Sequence, residues 1–155
     1  MNHKRRRVLK TGAGLLTLLA GAGLGLPKIS AAADWNKAAF DGSKTIQEAF
    51  KALGAISPAI SVQIVLNAAD IAENGAVVPI IVESKIAGTE SIALLVEKNR
   101  IPLTAAFDIP PGTEASISMR IKMNETSNVF ALVKANGKYY VAKKEIKVTL
   151  GGCGA

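Results

Sequence analysis

The fold is decided by residues 115–123, ASISMRIKM, and by residues 129–141, VFALVKANGKYYV. In the first stretch apolar and polar side chains alternate, which is the pattern of a strand with one buried and one solvated face. In the second stretch two β-rich runs flank Asn136 and Gly137, a pair that favours the positive φ angles of a two-residue hairpin turn. Both stretches therefore predict antiparallel strands.

Similar β-rich runs lie on both sides of these two stretches, with turn residues about every 8–12 residues. They are residues 60–67, 77–83, 90–97, 103–107 and 146–150. Within the first run, the side chains expected on one buried face are Ile60, Val62, Ile64 and Leu66. Pro79 has no N–H and indicates an edge or bulge position. The pattern favours an all-β fold, an immunoglobulin-like antiparallel β-sandwich, without the Cys…Trp…Cys spacing of immunoglobulin domains.

One short helix is predicted before the strands, over residues 45–53. Thr45 and Glu48 have the spacing of a capping box, and Gly54 follows in the position of a C-terminal cap. Apolar residues at helical spacing form one stripe, which consists of Ile46, Ala49, Phe50 and Leu53. We expect this stripe to pack on the sheet, with Trp35 and Phe40 in the nearby core.

The first 33 residues differ in composition from the rest of the 155-residue chain. They hold six of its 19 basic residues and no acidic one. Residues 34–155 therefore contain 13 basic and 12 acidic residues, so most of the formal charge of +7 comes from the first 33 residues. A basic run at residues 4–7 precedes a 16-residue apolar stretch with five glycines, residues 11–26, and then three alanines, residues 31–33. This order predicts a signal peptide cleaved before Asp34. A retained anchor helix is the alternative, although a membrane span needs about 20 apolar residues.

The basic run resembles the twin-arginine export motif. Residues 5–10, RRRVLK, carry the arginines, the apolar pair and the lysine, while Lys4 and Val8 stand where Ser or Thr and Phe are usual. This motif predicts a periplasmic protein that is exported already folded. The expected organisation is a twin-arginine signal peptide, residues 1–33, one β-sandwich domain, residues 34–150, and a flexible arm, residues 151–155.

The residue inventory after the signal peptide excludes several classes of enzyme. Residues 34–155 contain no His and a single Cys, so a Ser-His-Asp or Cys-His pair cannot form. One thiol without an imidazole does not complete a usual zinc or haem site, and it makes no disulfide within the chain. The acidic residues have no motif spacing and fit a solvated surface. We expect no cofactor and no catalytic residue.

The remaining unusual feature is Cys153, which follows Gly151 and Gly152 and precedes Gly154. Glycine permits nearly any backbone conformation, so these residues predict a mobile, exposed arm rather than a buried structural cysteine. At about 3.4 Å per residue, the thiol would reach roughly 10 Å beyond Leu150. The alternative is an incidental frayed terminus.

The sequence places no evident activating group beside this thiol. Three lysines precede it on a predicted strand, Lys143, Lys144 and Lys147, and the direction of their side chains is open. An ordinary thiol has a pKa of about 8.5 and is only a few per cent thiolate at pH 7. Such a group is a poor catalyst alone, yet it is an adequate attachment point for the chemistry of another enzyme.

The ending Gly151-Gly152-Cys153-Gly154-Ala155, preceded by residues 147–150, KVTL, resembles the C-terminus of the SoxY family. SoxY proteins are the sulfur-carrier subunits of the periplasmic thiosulfate-oxidising (Sox) system, and their usual ending is Gly-Gly-Cys-Gly-Gly. This chain departs from that ending at Ala155. The resemblance extends to the export signal, the short helix and the strand-rich middle.

The resemblance implies a carrier and not an enzyme. Cys153 would hold sulfur intermediates covalently, as a thiosulfonate or a persulfide, and Gly151, Gly152 and Gly154 would form the carrier arm. The implied partners are a SoxZ-like subunit in a heterodimer, a SoxAX-type haem enzyme, a SoxB-type manganese hydrolase and, in some organisms, a sulfane dehydrogenase. The metals and haems would belong to those partners.

Two other functions remain open on the residues alone. In the first, a periplasmic binding or assembly module pairs its sandwich edge with a partner, and Cys153 forms an intermolecular disulfide. The apolar runs at residues 77–82 and 92–96 would supply its interface if they are not ordinary core. In the second, a thiol-redox enzyme would need a resolving Cys, which is absent, or a lowered thiol pKa.

Overall fold

The computed structural model describes residues 36–150. Within them lie a π-helical turn, Ala38–Gly42, and one α-helix, α1, Ile46–Ala52. The strands are β1 (Ala59–Ile60), β2 (Ile64–Asn67), β3 (Ile71–Ala72), β4 (Val78–Ser84), β5 (Thr89–Val96), β6 (Leu103–Asp108), β7 (Ser116–Ile121), β8 (Ser127–Ala135) and β9 (Lys138–Val148). Trp35, the signal peptide expected over residues 1–33 and the arm expected over residues 151–155 lie outside the described residues.

Helix α1 forms where the capping box predicts it. The Thr45 hydroxyl accepts a hydrogen bond from the backbone N–H of Glu48 at 3.2 Å, and the Glu48 carboxylate accepts one from the N–H of Thr45 at 3.2 Å. These two bonds satisfy N–H groups that the first helical turn leaves without a partner. The chain leaves the helix at Gly54, whose φ of +85° suits glycine.

The larger of two sheets has the strand order β1-β9-β8-β5-β6, and β3 also pairs with β9. Strands β8 and β9 form a long antiparallel hairpin, and its turn has positive φ at both Asn136 and Gly137, as the Asn-Gly pair predicts. Strands β1 and β3 depart from the expected antiparallel arrangement, because both run parallel to β9. Each has two residues, and both pair with the edge of β9 that lies opposite β8.

The smaller sheet is antiparallel, with the order β2-β4-β7. The predicted alternation along β7 is confirmed: Ile117 and Met119 pack on the core and Ile121 is buried, whereas the intervening polar residues are exposed. Pro79 lies in β4, the central strand, but in a segment that pairs only with β7, because pairing with β2 begins at Ile81. The structure therefore places the proline next to an open edge, where a missing N–H costs no ladder bond.

Two hydrophobic clusters lie on opposite faces of the larger sheet. One fills the space between the sheets and includes Leu94 and Val133, and the other lies beneath α1 and includes Leu95 and Leu132. Neighbouring residues of β5 thus point into different clusters, as side chains alternate along a strand. Phe40 packs against the second cluster, as expected from the sequence.

The predicted strand over residues 60–67 is wrong in its first half. The chain turns after β1, where the Ser61 hydroxyl accepts a hydrogen bond from the N–H of Gln63 at 3.2 Å, and it then enters the smaller sheet as β2. Ile60 and Val62 are consequently 88% and 95% exposed instead of buried, while Ile64 is buried. The apolar alternation of residues 60–67 continues without interruption although the chain passes from the larger sheet to the smaller one, so the alternation alone does not predict the turn.

The two apolar runs considered as an interface are mainly core. Every residue from 92 to 96 is buried, and in residues 77–82 the side chains of Val78, Ile80 and Val82 are buried. Neither run therefore supports the binding-module hypothesis. No helix among residues 36–150 is long and apolar enough to cross a membrane.

Candidate functional site

The residues predicted to form the site, Gly151, Gly152, Cys153 and Gly154, lie outside the described residues. The structure does describe the strand that leads to them. Strand β9 is 11 residues long and pairs with β8 over nine consecutive residue pairs, from Ala135 and Lys138 to Ser127 and Ile146. Ile146 is fully buried between the sheets. The segment before the predicted arm is therefore a rigid element of the larger sheet.

Thr149 and Leu150, which we call the arm base, continue from β9 and are bonded to the segment around β3. The N–H of Thr149 donates to the carbonyl oxygen of Ala72 at 3.1 Å, and its hydroxyl donates to that of Glu73 at 3.0 Å. The N–H of Gly75 donates to the carbonyl oxygen of Leu150 at 2.8 Å. These three bonds fix the position from which residue 151 begins.

Two further bonds connect this region to the segment between β7 and β8. The N–H of Val148 donates to the hydroxyl oxygen of Thr126 at 2.9 Å, and the N–H of Met123 donates to the carbonyl oxygen of Gly75 at 2.7 Å. Met123 is fully buried, so this connection extends into the core between the sheets. Sequence reasoning missed these contacts because they join residues that are far apart in the chain.

The structure settles the direction of the three lysines that precede the arm. Lys144 lies on the inter-sheet side of β9, where its ammonium is 2.9 Å from the Asp70 carboxylate and also donates to the carbonyl oxygen of Ala68. The hydrogen bond from Lys144 holds the pKa of Asp70 below its ordinary value, and the positive charges of Lys144 and Lys147 lower it further. Lys143 and Lys147 point to the opposite face of the sheet and are exposed. Lys144 is thus occupied in structure and is not a candidate activator for the thiol.

A cavity of about 530 Å³ lies between the segment before α1, the loop after β5 and the loop after β7. Its lining consists of Asp41, Ser43, Lys44, Asn99, Arg100, Ile101 and Asn124. The Asn99 side chain connects the loop after β5 to the loop after β7. It donates to the carbonyl oxygen of Lys122 at 2.8 Å and accepts from the N–H of Asn124 at 3.2 Å. Asn99 is therefore a structural residue, and the lining combines two cations with one carboxylate.

The polar side chains of residues 36–150 are dispersed, and the buried ones are hydrogen-bonded. They contain no group of three or more His, Cys, Asp or Glu side chains placed to hold a metal ion. Within the same residues, every buried side-chain nitrogen or oxygen has a hydrogen-bond partner. Buried Ser127, for example, accepts from the N–H of Lys98 at 3.0 Å and donates to the carbonyl oxygen of Asn128. No side chain in this part of the chain combines burial with an unused polar group.

Residues 36–150 thus form a two-sheet β-sandwich, and its last strand leads into a hydrogen-bonded arm base. The sequence model of the family described as "Sulfur oxidation protein SoxY" matches residues 50–153. The chain belongs to the SoxY family, the carrier subunits of sulfur oxidation, and the resemblance seen at residues 151–155 is confirmed at the level of the family.

A solved structure supports the same assignment. The sulfur carrier protein SoxY from Chlorobium limicola f thiosulfatophilum is 37% identical over an alignment that covers 74% of this chain and 99% of that protein, with a TM-score of 0.63. A structure concerning T cell activation by the bacterial superantigen toxic shock syndrome toxin-1 also matches, at 12% identity and a TM-score of 0.37. The match covers 55% of this chain and 98% of the other, and its similarity is too low to carry an argument. A search of the curated proteins finds no match.

Proposed function

We propose that this chain is a covalent sulfur carrier in thiosulfate oxidation, with Cys153 as the attachment point. The observation that carries the proposal is the extent of the family match, which runs through the whole sandwich and ends on residue 153. The 37% identity to a sulfur carrier protein supports the same function. The chain has one cysteine, so the attachment point has no competitor.

Loading the thiol is an oxidation and therefore requires a partner. When the Cys153 sulfur forms a bond to the outer sulfur of thiosulfate, the thiol loses its proton and the pair loses two electrons. Water can then cleave the sulfur–sulfonate bond, which releases sulfate and two protons and leaves a deprotonated persulfide on Cys153 without further electron transfer. The first step suits a SoxAX-type haem enzyme and the second a SoxB-type manganese hydrolase, while a sulfane dehydrogenase would oxidise the remaining sulfur.

The carrier itself would supply position and not catalysis. Gly151, Gly152 and Gly154 would give the arm its freedom, because glycine loses no allowed conformation to a side chain. The hydrogen bonds of Thr149 and Leu150 support an arm that starts from a rigid base. A thin arm on a fixed base can enter the channels of several enzymes in turn. The chain needs no cofactor of its own for this function.

The remaining expectations concern export and assembly. The twin-arginine motif at residues 5–10 moves folded proteins, which fits export of this chain together with a SoxZ-like subunit that has no signal of its own. We therefore place the carrier in the periplasm as the signal-bearing member of a heterodimer. Beyond residue 33 the chain is close to neutral, with 13 basic and 12 acidic residues, so a nucleic-acid partner is not expected.

The test is a reconstitution with purified SoxZ, SoxAX and SoxB from the same organism, in which thiosulfate-dependent sulfate release is measured. The Cys153→Ser variant is expected to release no sulfate above the level without carrier. The matched control combines Cys153→Ser with Ser118→Cys, which moves the single thiol to an exposed position on the smaller sheet. It should be equally inactive if the arm is required. Sulfate release by either variant at the wild-type rate would refute the carrier function of Cys153.

A further inference from the structure

Two sites in the chain have an asparagine followed by a glycine, Asn74-Gly75 and Asn136-Gly137. Asparagine is a chemically labile residue, above all before glycine, whose missing Cβ lets its backbone nitrogen approach the asparagine side chain. The glycine nitrogen bonds to the side-chain amide carbon and gives up its proton, and the amide nitrogen takes up a proton and leaves as ammonia. Water then opens the cyclic succinimide to aspartate or isoaspartate. The net reaction is the hydrolysis of an amide, so it needs no oxidant and no enzyme.

The structure occupies the reacting N–H group differently at the two sites. The N–H of Gly75 donates to the carbonyl oxygen of Leu150 at 2.8 Å, and Gly75 is buried although Asn74 is exposed. The N–H of Gly137 donates to the Glu90 carboxylate at 2.9 Å in an exposed turn. An N–H that is held as a donor keeps its proton. Each of these bonds must therefore open before the succinimide can form.

The turn that contains Asn74 is held by further bonds. The side-chain oxygen of Asn74 accepts from the N–H of Ala76 at 2.8 Å, and its carbonyl oxygen accepts from the N–H of Val77 at 3.3 Å. The carbonyl oxygen of Gly75 accepts from the N–H of buried Met123 at 2.7 Å. Rotation of the backbone toward the side-chain carbon would disturb these bonds. The bond that blocks the nitrogen itself, however, comes from the arm base.

We propose that Asn74 is a deamidation site whose reactivity is controlled by the arm base. While Thr149 and Leu150 are bonded to the segment after β3, the N–H of Gly75 is occupied and Asn74 persists. When the arm base detaches, this N–H is released and Asn74 reacts. The inference goes beyond the proposed function and does not depend on it, because it involves no chemistry at Cys153.

The product would weaken the contact that protects its precursor. Isoaspartate routes the main chain through the former side chain and adds one carbon to the backbone between residues 74 and 75. This insertion shifts the N–H of Gly75 relative to the carbonyl oxygen of Leu150, and either product adds a carboxylate to the turn. A transient opening of the arm base is thereby converted into a permanent one, and ageing molecules accumulate with a loosened arm base.

The second site, Asn136-Gly137, is an internal reference. Its other hydrogen bonds join Asn136 to the carbonyl oxygens of Ala87 and Gly88, at 2.8 Å and 3.3 Å, and none of them involves the arm base. Strand β9 begins beside this turn and reaches the arm base ten residues later, which at about 3.3 Å per residue is a distance of roughly 33 Å. The two sites should therefore respond to different substitutions.

The experiment incubates the purified protein at mildly alkaline pH and follows aspartate and isoaspartate at residues 74 and 136 by liquid chromatography and mass spectrometry. In the chain unfolded by urea, both sites should react at similar rates, because glycine follows in each. In the folded chain, Asn74 should react at least about tenfold more slowly, since three hydrogen bonds hold the arm base. Asn74 reacting equally fast in the folded and the unfolded chain would overturn the proposal.

Crossed variants test the control by the arm base. Thr149→Val should accelerate the reaction of Asn74 by about 2- to 12-fold and leave Asn136 unchanged, because it removes one bond of the arm base. Thr149→Pro also removes the N–H that bonds to Ala72 and should have a larger effect. The matched control, Glu90→Ala, removes the acceptor of the Gly137 N–H and should accelerate only Asn136.

Amide exchange at Gly75 supplies an independent measure of the same opening. In each Thr149 variant, the rate of exchange at Gly75 and the rate of deamidation at Asn74 should rise by the same factor, because both require release of one N–H. Unchanged deamidation of Asn74 in both Thr149 variants would overturn the proposal. Equal acceleration of Asn74 and Asn136 would do the same, since it would indicate global unfolding and not detachment of the arm base.

Discussion

Replacing Thr149 by Val tests whether the arm base is held as the hydrogen bonds indicate. The substitution keeps the shape of the side chain and the backbone N–H, and it removes only the hydroxyl that donates to the Glu73 carbonyl at 3.0 Å. One such hydrogen bond contributes about 0.5–1.5 kcal/mol, which corresponds to roughly a 2- to 12-fold change in a local equilibrium. Thr149 is exposed, so we expect a value near the lower end.

The assay is native-state hydrogen exchange followed residue by residue. Two amides report on the arm base: the N–H of Thr149, which bonds to Ala72, and the N–H of Gly75, which bonds to Leu150. Both should exchange about 2- to 12-fold faster in Thr149→Val, while amides in the middle of β8 keep their rates. The matched control is Thr113→Val in an exposed loop, which should change neither amide.

Two results would refute this reasoning. If the amides of Thr149 and Gly75 exchange at wild-type rates in the variant, the hydroxyl does not hold the arm base. If every amide of the sandwich accelerates by the same factor, the bond contributes to global stability and not to the position of the arm. Only a local change supports an arm that begins at residue 151.

Three further predictions concern the sandwich itself. Thr45→Ala removes the capping-box acceptor of α1 and should lower the free energy of unfolding by about 1 kcal/mol, measured by urea titration against a Thr113→Ala control. Leu94→Ala empties a fully buried position between the sheets and should cost about 2–5 kcal/mol in the same assay, and a loss below about 1 kcal/mol would contradict its placement in the core. The pKa of Glu90 is lowered chiefly by the hydrogen bond from Lys134, at 2.8 Å. The contribution of the ionised Glu90 carboxylate to the free energy of unfolding is complete above the ordinary glutamate pKa of about 4.3. It is lost as the pH falls through the lower pKa of Glu90 in the folded state. Urea titrations over this acidic range should therefore show a smaller loss of stability in Glu90→Gln than in wild type, and identical profiles would exclude the contribution.

The features that the sequence predicted correctly are local ones. The capping box of α1 needs only Thr45 and Glu48, and the hairpin turn needs only Asn136 and Gly137. The alternation along β7 places each side chain on one of two faces without reference to the rest of the fold. Each of these patterns lies within a few residues, where propensity and periodicity act directly.

The features that the sequence did not predict depend on distant contacts. The apolar period through residues 60–67 is that of one strand, yet the turn at Ser61 sends the two halves to different sheets. The exposure of Ile60 and Val62 follows from this turn, so the same apolar pattern did not predict it. The bond from Thr149 to Glu73 joins residues 76 positions apart, and no local signal marks either of them.

The predicted site was identified by composition and position, and not by a recognisable geometry. Glycines on both sides of a single cysteine stand out in any reading of the chain, and the family match includes that cysteine. The direction of Lys144 could not be read in the same way, because a lysine on a strand points to either face until the pairing of that strand is known. Its ion pair with Asp70 became visible only with the placement of β9.

The central claim is that Cys153 carries sulfur covalently, and mass spectrometry of the protein from thiosulfate-grown cells tests it most directly. Intact mass followed by peptide mapping should show thiosulfonate or persulfide groups on Cys153, and a reducing agent should remove them. The Cys153→Ser chain from the same culture should have its unmodified mass. A wild-type chain with a free thiol throughout, or one present only as a disulfide-linked dimer, would contradict the account.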